Sequence, residues 1–276
     1  MAALCAEFDL TRQGHWRWAA EEPRAALATE VIVELVLEIR RRMPRLGGRK
    51  LHHLLRPDLE RMGLALGRDR LFEVLGEQGL LIEPRRRSTR TTNSFHRFRI
   101  WPNLIRELEV VRPDQVWVAD LTYLRCLRQF VYLFLVSDLY SRKIVGWTLG
   151  ETLEARWALE ALRMALAGAE APVAGLIHHS DRGVQYCCED YVGALNREKV
   201  QISMAEVGNP YENAVAERIC GILKGEFYLD RTFDEPAVAR RAVLDAIGIY
   251  YHERPHTSLR MMTPASCYAG RRREAA

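Results

Sequence analysis

The chain has no apolar run approaching the roughly 18–20 residues that a membrane helix needs. Its opening, MAALCAEFDL, lacks the basic, apolar and cleavage-site order of a secretory leader. These absences point to a protein that works in the cytoplasm, without a membrane partner. The six cysteines, Cys5, Cys126, Cys187, Cys188, Cys220 and Cys267, form no C-x-x-C pair, which argues against a zinc ribbon or a dithiol redox site. Reduced thiols are expected. No internal repeat or low-complexity tract interrupts the 276 residues, so the length leaves room for a core of about 150 residues with smaller parts beside it.

Acid is missing from one stretch in particular. The segment PRRRSTRTTNSFHRFR, Pro84 to Arg99, holds six arginines and no Asp or Glu. It reads either as a solvated linker or as a basic arm that tracks phosphates, and the absence of acids favours the arm. The wider balance agrees: residues 1–112 carry 21 Lys and Arg against 15 Asp and Glu, whereas residues 113–276 carry 19 against 21. The first part is therefore the expected polyanion contact.

In that part, residues 29–43, TEVIVELVLEIRRRM, have apolar residues at helical spacing, Thr29 as an N-cap and three arginines in the last turn. Two further helical patterns follow, GRKLHHLLRPDLERMG and LGRDRLFEVLGEQGLL, each bounded by glycine. Three short helices with basic turns fit a helix-turn-helix domain over residues 29–83, with Arg68 and Arg70 at the start of the recognition helix. A helical bundle used only for packing is the other reading. His52 and His53 have no cysteine nearby and read as a surface and core-edge pair, not a metal pair.

From Pro113 the texture changes to strands. DQVWVADLTYLRCL, QFVYLFLVSDLY and KIVGWTLGE form a three-stranded meander. LEARWALEALRMALAGA (helix), VAGLIHHSD (strand), YCCEDYVGALNREKV (helix), QISMA (strand) and ENAVAERICGILKGEFYL (helix) follow. That order predicts an α/β fold, a mixed sheet flanked by helices. The expected divisions are an N-terminal segment 1–28, the helical domain 29–83, a basic linker 84–112, a core 113–234, and a C-terminal helix and tail 235–276.

Three acids stand where packing does not want them. Asp120 interrupts an apolar strand, Asp181 ends another in LIHHSDRGVQY, and Glu217 lies early in a helix between small residues. Carboxylates from a strand, a neighbouring strand end and a crossing helix can converge, and three like charges together call for a cation. Oxygen ligands of this kind suit Mg²⁺ or Mn²⁺. Two such ions about 3.5–4 Å apart serve phosphodiester chemistry. Asn213, Glu217 and Lys224 share a helix face, from which Lys224 could reach a phosphate. Gly183 is expected to let the backbone turn away from Asp181. His178 and His179 alternate across the sheet, so one at most faces the carboxylates, and His179 is assigned that supporting place. Asp138 is read as structural. Tyr186 and the aromatics around Trp117 and Tyr123 are read as core in preference to base-stacking platforms, and Arg254 and His256 either touch DNA or pin the tail to the core.

Asp181 and Glu217 have 35 residues between them, and Asp120 lies 61 positions before Asp181. With WVADLTYL, HSDRGVQY, NAVAERICGILKGE, SRKIVGW, YHERPHTSL and MTPASCY, the chain resembles the D,D-35-E integrases and transposases. More narrowly it resembles the catalytic OrfB subunit of IS-three-family insertion-sequence transposases. It departs from that pattern at Glu212, where aspartate is usual, and in LGGRK, which lacks an aromatic between the glycines. The resemblance implies an RNase H-like core and two Mg²⁺ or Mn²⁺ ions held by Asp120, Asp181 and Glu217. It also implies cleavage of element ends to free 3′-hydroxyls, and their transfer to target DNA. Lys224 would contact DNA in that scheme, and the expected basic contacts upstream are Arg68, Arg70, Arg85, Arg86, Arg87, Arg90, Arg97 and Arg99. The partners implied are terminal repeats and target DNA, a second copy of the chain, and an upstream OrfA-type protein. A non-catalytic DNA-binding regulator and an RNase H-like nuclease that cuts without joining are the rival readings; the intact triad argues against the first, and a joining assay separates the second.

Overall fold

The computed structural model describes residues 11–83, 99–169, 172–206 and 214–275. The chain divides into two compact units, 1–84 and 85–276.

The first unit holds α1 (Arg12–Arg42), α2 (Gly48–Arg61) and α3 (Arg68–Glu77). Ile32 and Val36 of α1, Leu51, Leu55 and Leu59 of α2, and Leu71, Val74 and Leu75 of α3 are buried, which is the stripe that helical spacing predicted. Gly48 has no side chain because the Phe72 ring lies 2.7 Å from where a Cβ would stand. Thr29 is not an N-cap: α1 begins at Arg12 and runs through it. Arg68 and Arg70 are exposed, and their neighbours are acids, Asp69 at 2.8 Å from Arg68 and Glu73 at 3.1 Å from Arg70.

The second unit is built on β1 (Val116–Cys126), β2 (Phe130–Asp138), β3 (Ile144–Gly150), β4 (Ile177–Ser180), β5 (Gln201–Met204) and a short β6 (Thr232–Phe233). The sheet order is β3-β2-β1-β4-β5, with β6 also on β1. The meander β1-β2-β3 is antiparallel, while β4, β5 and β6 join in parallel. Meander first and parallel crossovers after is the RNase H-like arrangement. The helices are α4 (Ala155–Ala167), α5 (Val184–Cys187), α6 (Glu189–Arg197), α7 (Ala214–Glu226), α8 (Pro236–His252) and α9 (Pro264–Ala275). The single helix expected from Tyr186 to Val200 is two, α5 and α6, joined at Cys188, whose φ of −70° and ψ of 153° are extended.

Alternation along β1 sorts the two faces. Trp117 and Ala119 pack under α4 and α6 in a core with Phe134, Leu162, Tyr191 and Leu195. Val116 and Val118 face the other way, toward Ala216 of α7. The α4 backbone lies so close to β3 that a Cβ on Gly146 would run into the Ala161 carbonyl. The segment after Glu235 packs on this sheet: α8 meets β1, β3 and β6, and α9 lies on α8. Tyr268 Oη donates to Asp114 Oδ2 at 2.8 Å. Arg254, 1% exposed, donates twice to Glu226 at 2.7 Å, and His256 packs edge-on to Tyr250. YHERPH therefore pins the tail to the core.

Candidate active site

Asp120 follows Val116 and Val118 on the face of β1 that meets α7. The parallel register pairs Ala119 with Ser180, so the next residues along the two strands are Asp120 and Asp181. Glu217 comes from the first turn of α7, and Cys220 and Lys224 follow it on the same side of that helix. Asp120, Glu217, Cys220 and Lys224 line one open cleft of about 750 Å³, together with Tyr123 and Arg125.

The electrostatics tie the three acids together. Burial pushes the Asp120 carboxyl up to about 7 from its ordinary 3.8, and the charges of Asp181 and then Glu217 push it the same way. The Leu121 N–H, 2.8 Å from Oδ1, and the Cys220 thiol oppose that rise by donating to the carboxylate. Asp181 Oδ1 accepts the Gly183 N–H at 2.9 Å. Gly183 has φ −63° and ψ 139°, conformations open to any residue, so its value is not the freedom to turn. It leaves room instead, since a Cβ there would stand 3.0 Å from both Asp181 Oδ1 and Gln185 Oε1.

Among the described residues, no group of three or more His, Cys, Asp or Glu side chains is arranged so that it could hold a metal ion. Carboxylates without a countercharge repel one another, and a cation would draw them together. The donor set fits a hard divalent cation: oxygen ligands only, held in mutual repulsion that a cation would relieve. The Tyr186 hydroxyl agrees with that fit. It is buried, feels Asp181 and Asp120, and has no hydrogen-bond partner among the described residues. A buried donor beside two carboxylates suits the water shell of an ion.

This arrangement makes metal-free stability depend on pH. The folded-state pKa of Asp120, about 7, lies above the ordinary 3.8, so its contribution to stability is intact below about 4 and is lost as pH rises toward about 7. Asp138, raised to about 6 by burial, contributes with the same sign but is held by hydrogen bonds from Asp114 and Ser141. Added Mg²⁺ is expected to raise the thermal midpoint at about pH 8 and far less at about pH 5. Asp120→Asn should flatten that difference, as read by scanning calorimetry with and without EDTA. An equal Mg²⁺ effect at both pH values would contradict it.

The other residues singled out from the sequence separate clearly. His178 and His179 are both buried on opposite faces of β4; His178 meets the Tyr191 hydroxyl at 2.8 Å and His179 meets Ser203 Oγ at 2.8 Å. Asp138 accepts from the Asp114 N–H, the Ser141 N–H and the Ser141 hydroxyl, which makes it structural. Trp117 and Tyr186 are core, but Tyr123 is 37% exposed, since it lies where β1 runs out beyond α4. Arg99 is exposed, with its guanidinium 5.4 Å from the centre of the Trp101 ring. Asn213, Arg85, Arg86, Arg87, Arg90 and Arg97 lie outside the described residues. Cys220 was not anticipated, although its position three residues after Glu217 puts it on the same helix face.

A mixed sheet of this order with flanking helices is the fold of an RNase H-like protein of the integrase-core class. Residues 110–210 match a family model described as "Integrase core domain", and residues 198–264 match a second model of that description. A protein of insertion element IS600 from Shigella sonnei, described as an uncharacterized 31 kDa protein, is 34% identical over 95% of this chain and 96% of its own length. The transposase InsF for insertion sequence IS3A of Escherichia coli (strain K12) is 28% identical over 91% of this chain and 87% of its own. Among solved structures, the catalytic core domain of the HTLV-2 integrase in complex with magnesium is 15% identical, with a TM-score of 0.46, covering 58% of this chain and 99% of that one. The chain belongs to the IS3-type insertion-sequence transposase family, whose members carry an integrase core. Among the described residues no helix is long and apolar enough to cross a membrane.

Proposed function

We propose that the protein is a divalent-metal-dependent DNA transposase that cleaves the ends of its element and joins the freed 3′-hydroxyls to target DNA. The observation that supports this reading is that the charges of Asp181 and Glu217 are both felt at the buried Asp120. Asp120 and Asp181 from adjacent strand ends and Glu217 from α7 would hold Mg²⁺ or Mn²⁺, two ions in the family's scheme. Ions bound there would supply Lewis acidity and neutralise charge on the transferring phosphate.

The chain's own residues set the rest. The Leu121 N–H and the Cys220 thiol fix the Asp120 carboxylate, and the Gly183 N–H fixes that of Asp181. Lys224, whose ammonium lies 3.2 Å from Thr122 Oγ1, extends into the cleft as a phosphate contact. In the first step water attacks phosphorus and the 3′-oxygen leaves with a proton as the new 3′-hydroxyl. In the second, that hydroxyl attacks a target phosphodiester, so one such bond is made as another breaks and no outside energy is required. Arg68, Arg70, Arg99 and the arginines of the 84–98 segment would hold the duplex through phosphates. Work on two DNA ends calls for at least two copies of the chain, and an upstream OrfA-type protein would add end recognition. Such contacts would put the protein on the bacterial nucleoid, in the cytoplasm.

The test is labelled DNA carrying the sequences that flank the reading frame, incubated with Mg²⁺ or Mn²⁺. Metal-dependent nicking and joining supports the proposal. Nicking without joining would leave a nuclease, and binding alone, with an upstream partner added, a regulator. Changing Arg85, Arg86 and Arg87 to alanine should weaken binding and reduce the slope of log affinity against log salt by about three. An unchanged slope would remove that segment from the interface.

A further inference from the structure

The cleft beside Asp120 is bordered by a surface that the cleavage scheme leaves unused. Where β1 and β2 run out beyond α4, the register pairs Tyr123 with Tyr132 and Arg125 with Phe130, so Tyr123 and Phe130 are diagonal neighbours on one face. Their rings meet edge to face, with centroids 5.4 Å apart. Tyr123 is 37% exposed, Phe130 44% and Leu127, in the turn between them, 69%. From Leu121 to Phe130 the sequence has two arginines, Arg125 and Arg128, and no acid. The Lys224 ammonium lies 4.2 Å from the centre of the Tyr123 ring, which joins this surface to the cleft wall.

An exposed aromatic pair on a hairpin costs solubility and contributes little to the fold. Beside basic side chains it has the composition of a single-strand platform, in which charges hold the backbone and rings receive the bases. The Asp120 cleft is open and has Tyr123, Arg125 and Lys224 in its lining beside Asp120 and Glu217, so a strand whose phosphate reaches Asp120 passes next to these rings.

We infer that the β1–β2 hairpin, through Tyr123 and Phe130, is a stacking platform that holds unpaired bases of the DNA end next to the scissile phosphate. This rests on the cleft being the cleavage site. The platform nevertheless acts in binding and needs no metal, so the two claims can be separated.

The experiment measures binding of the full chain, in EDTA, to a forked DNA with unpaired arms and to the same sequence fully paired. Wild type should favour the fork by roughly ten-fold, the scale of one or two stacked bases. Tyr123→Ala and Phe130→Ala should each lose most of that preference while paired-DNA affinity holds, and Tyr123→Phe should retain it. Lys224→Ala should weaken both DNAs alike. Equal wild-type affinity for the two DNAs, or a fork preference that survives the double variant Tyr123→Ala with Phe130→Ala, would overturn the inference. A fork preference that depends on the rings, in a protein that never cleaves in Mg²⁺, would instead uphold the platform and sink the cleavage reading.

Discussion

Glu217→Gln and Asp181→Asn are each expected to reduce metal-dependent cleavage by about a thousand-fold or more, since on the proposed function each would remove a metal-holding charge worth several kcal/mol in the transition state. DNA affinity should stay within about two-fold, because phosphate contacts, not the carboxylates, supply binding. A purely structural role for these acids predicts the opposite balance, a less stable protein with activity lost in proportion to its unfolding. The electrostatics point elsewhere. Asp120 is pushed up by both neighbours, so taking away either charge should make the metal-free protein more stable near neutral pH. Activity falling while metal-free stability rises is a signature that a packing residue cannot produce. The pair of measurements is single-turnover cleavage in Mg²⁺ and thermal unfolding in EDTA. Residual cleavage at a tenth of the wild-type rate would take the residue out of the site.

The second large effect lies away from the carboxylates. Arg254→Ala should destabilise the second unit by about 3–5 kcal/mol, because it removes the bidentate guanidinium from a carboxylate that stays inside the fold. The pair is bidentate, with side chains only 2% and 15% exposed. A double replacement, Arg254→Met with Glu226→Leu, should recover most of the loss, since a packed apolar pair can match a buried ion pair. Denaturant titration of the three proteins decides it; a loss below about 1 kcal/mol for Arg254→Ala would mean that water reaches Glu226 and the pair behaves as a surface bridge. Glu226 closes the helix that carries Glu217 and Lys224, so the same variant should lose cleavage as well.

The sequence disclosed those features that obey a period or a spacing. Asp120 is visible because a carboxylate breaks an apolar alternation, and the strand order follows from three β-rich runs before the first helix. Asp120 and Asp138 look alike in sequence, both acids in apolar strands. What separates them is their donors: Asp138 receives three from Asp114 and Ser141, whereas Asp120 receives one from the backbone and one from a thiol and faces two like charges. Such a count exists only after folding. The same holds for the burial of the Tyr186 hydroxyl and for the Arg254–Glu226 pair, whose members lie 28 positions apart in the chain. The length of α1 was hidden differently, since Pro23 reads as a stop and the alanine-rich run after Arg12 has helix propensity without an apolar stripe. Tyr123 was misplaced because an aromatic in a strand is ordinarily core, and only the end of α4 leaves this one uncovered.

The pairing of β1 carries a consequence for how the protein comes into being. Its partners are β2, which follows at once, β4, some sixty residues on, and β6, beyond α7. Contacts of that separation form late, after the cost of closing long loops has been met. Arg254, which fastens α7, is made later still. A chain emerging from the ribosome can complete its β1–β2–β3 meander early, but the helix that carries Glu217 is fastened only once Arg254 has been made. A product cut short between Glu217 and Arg254 should therefore carry all three acids on a helix that nothing yet clamps to the sheet.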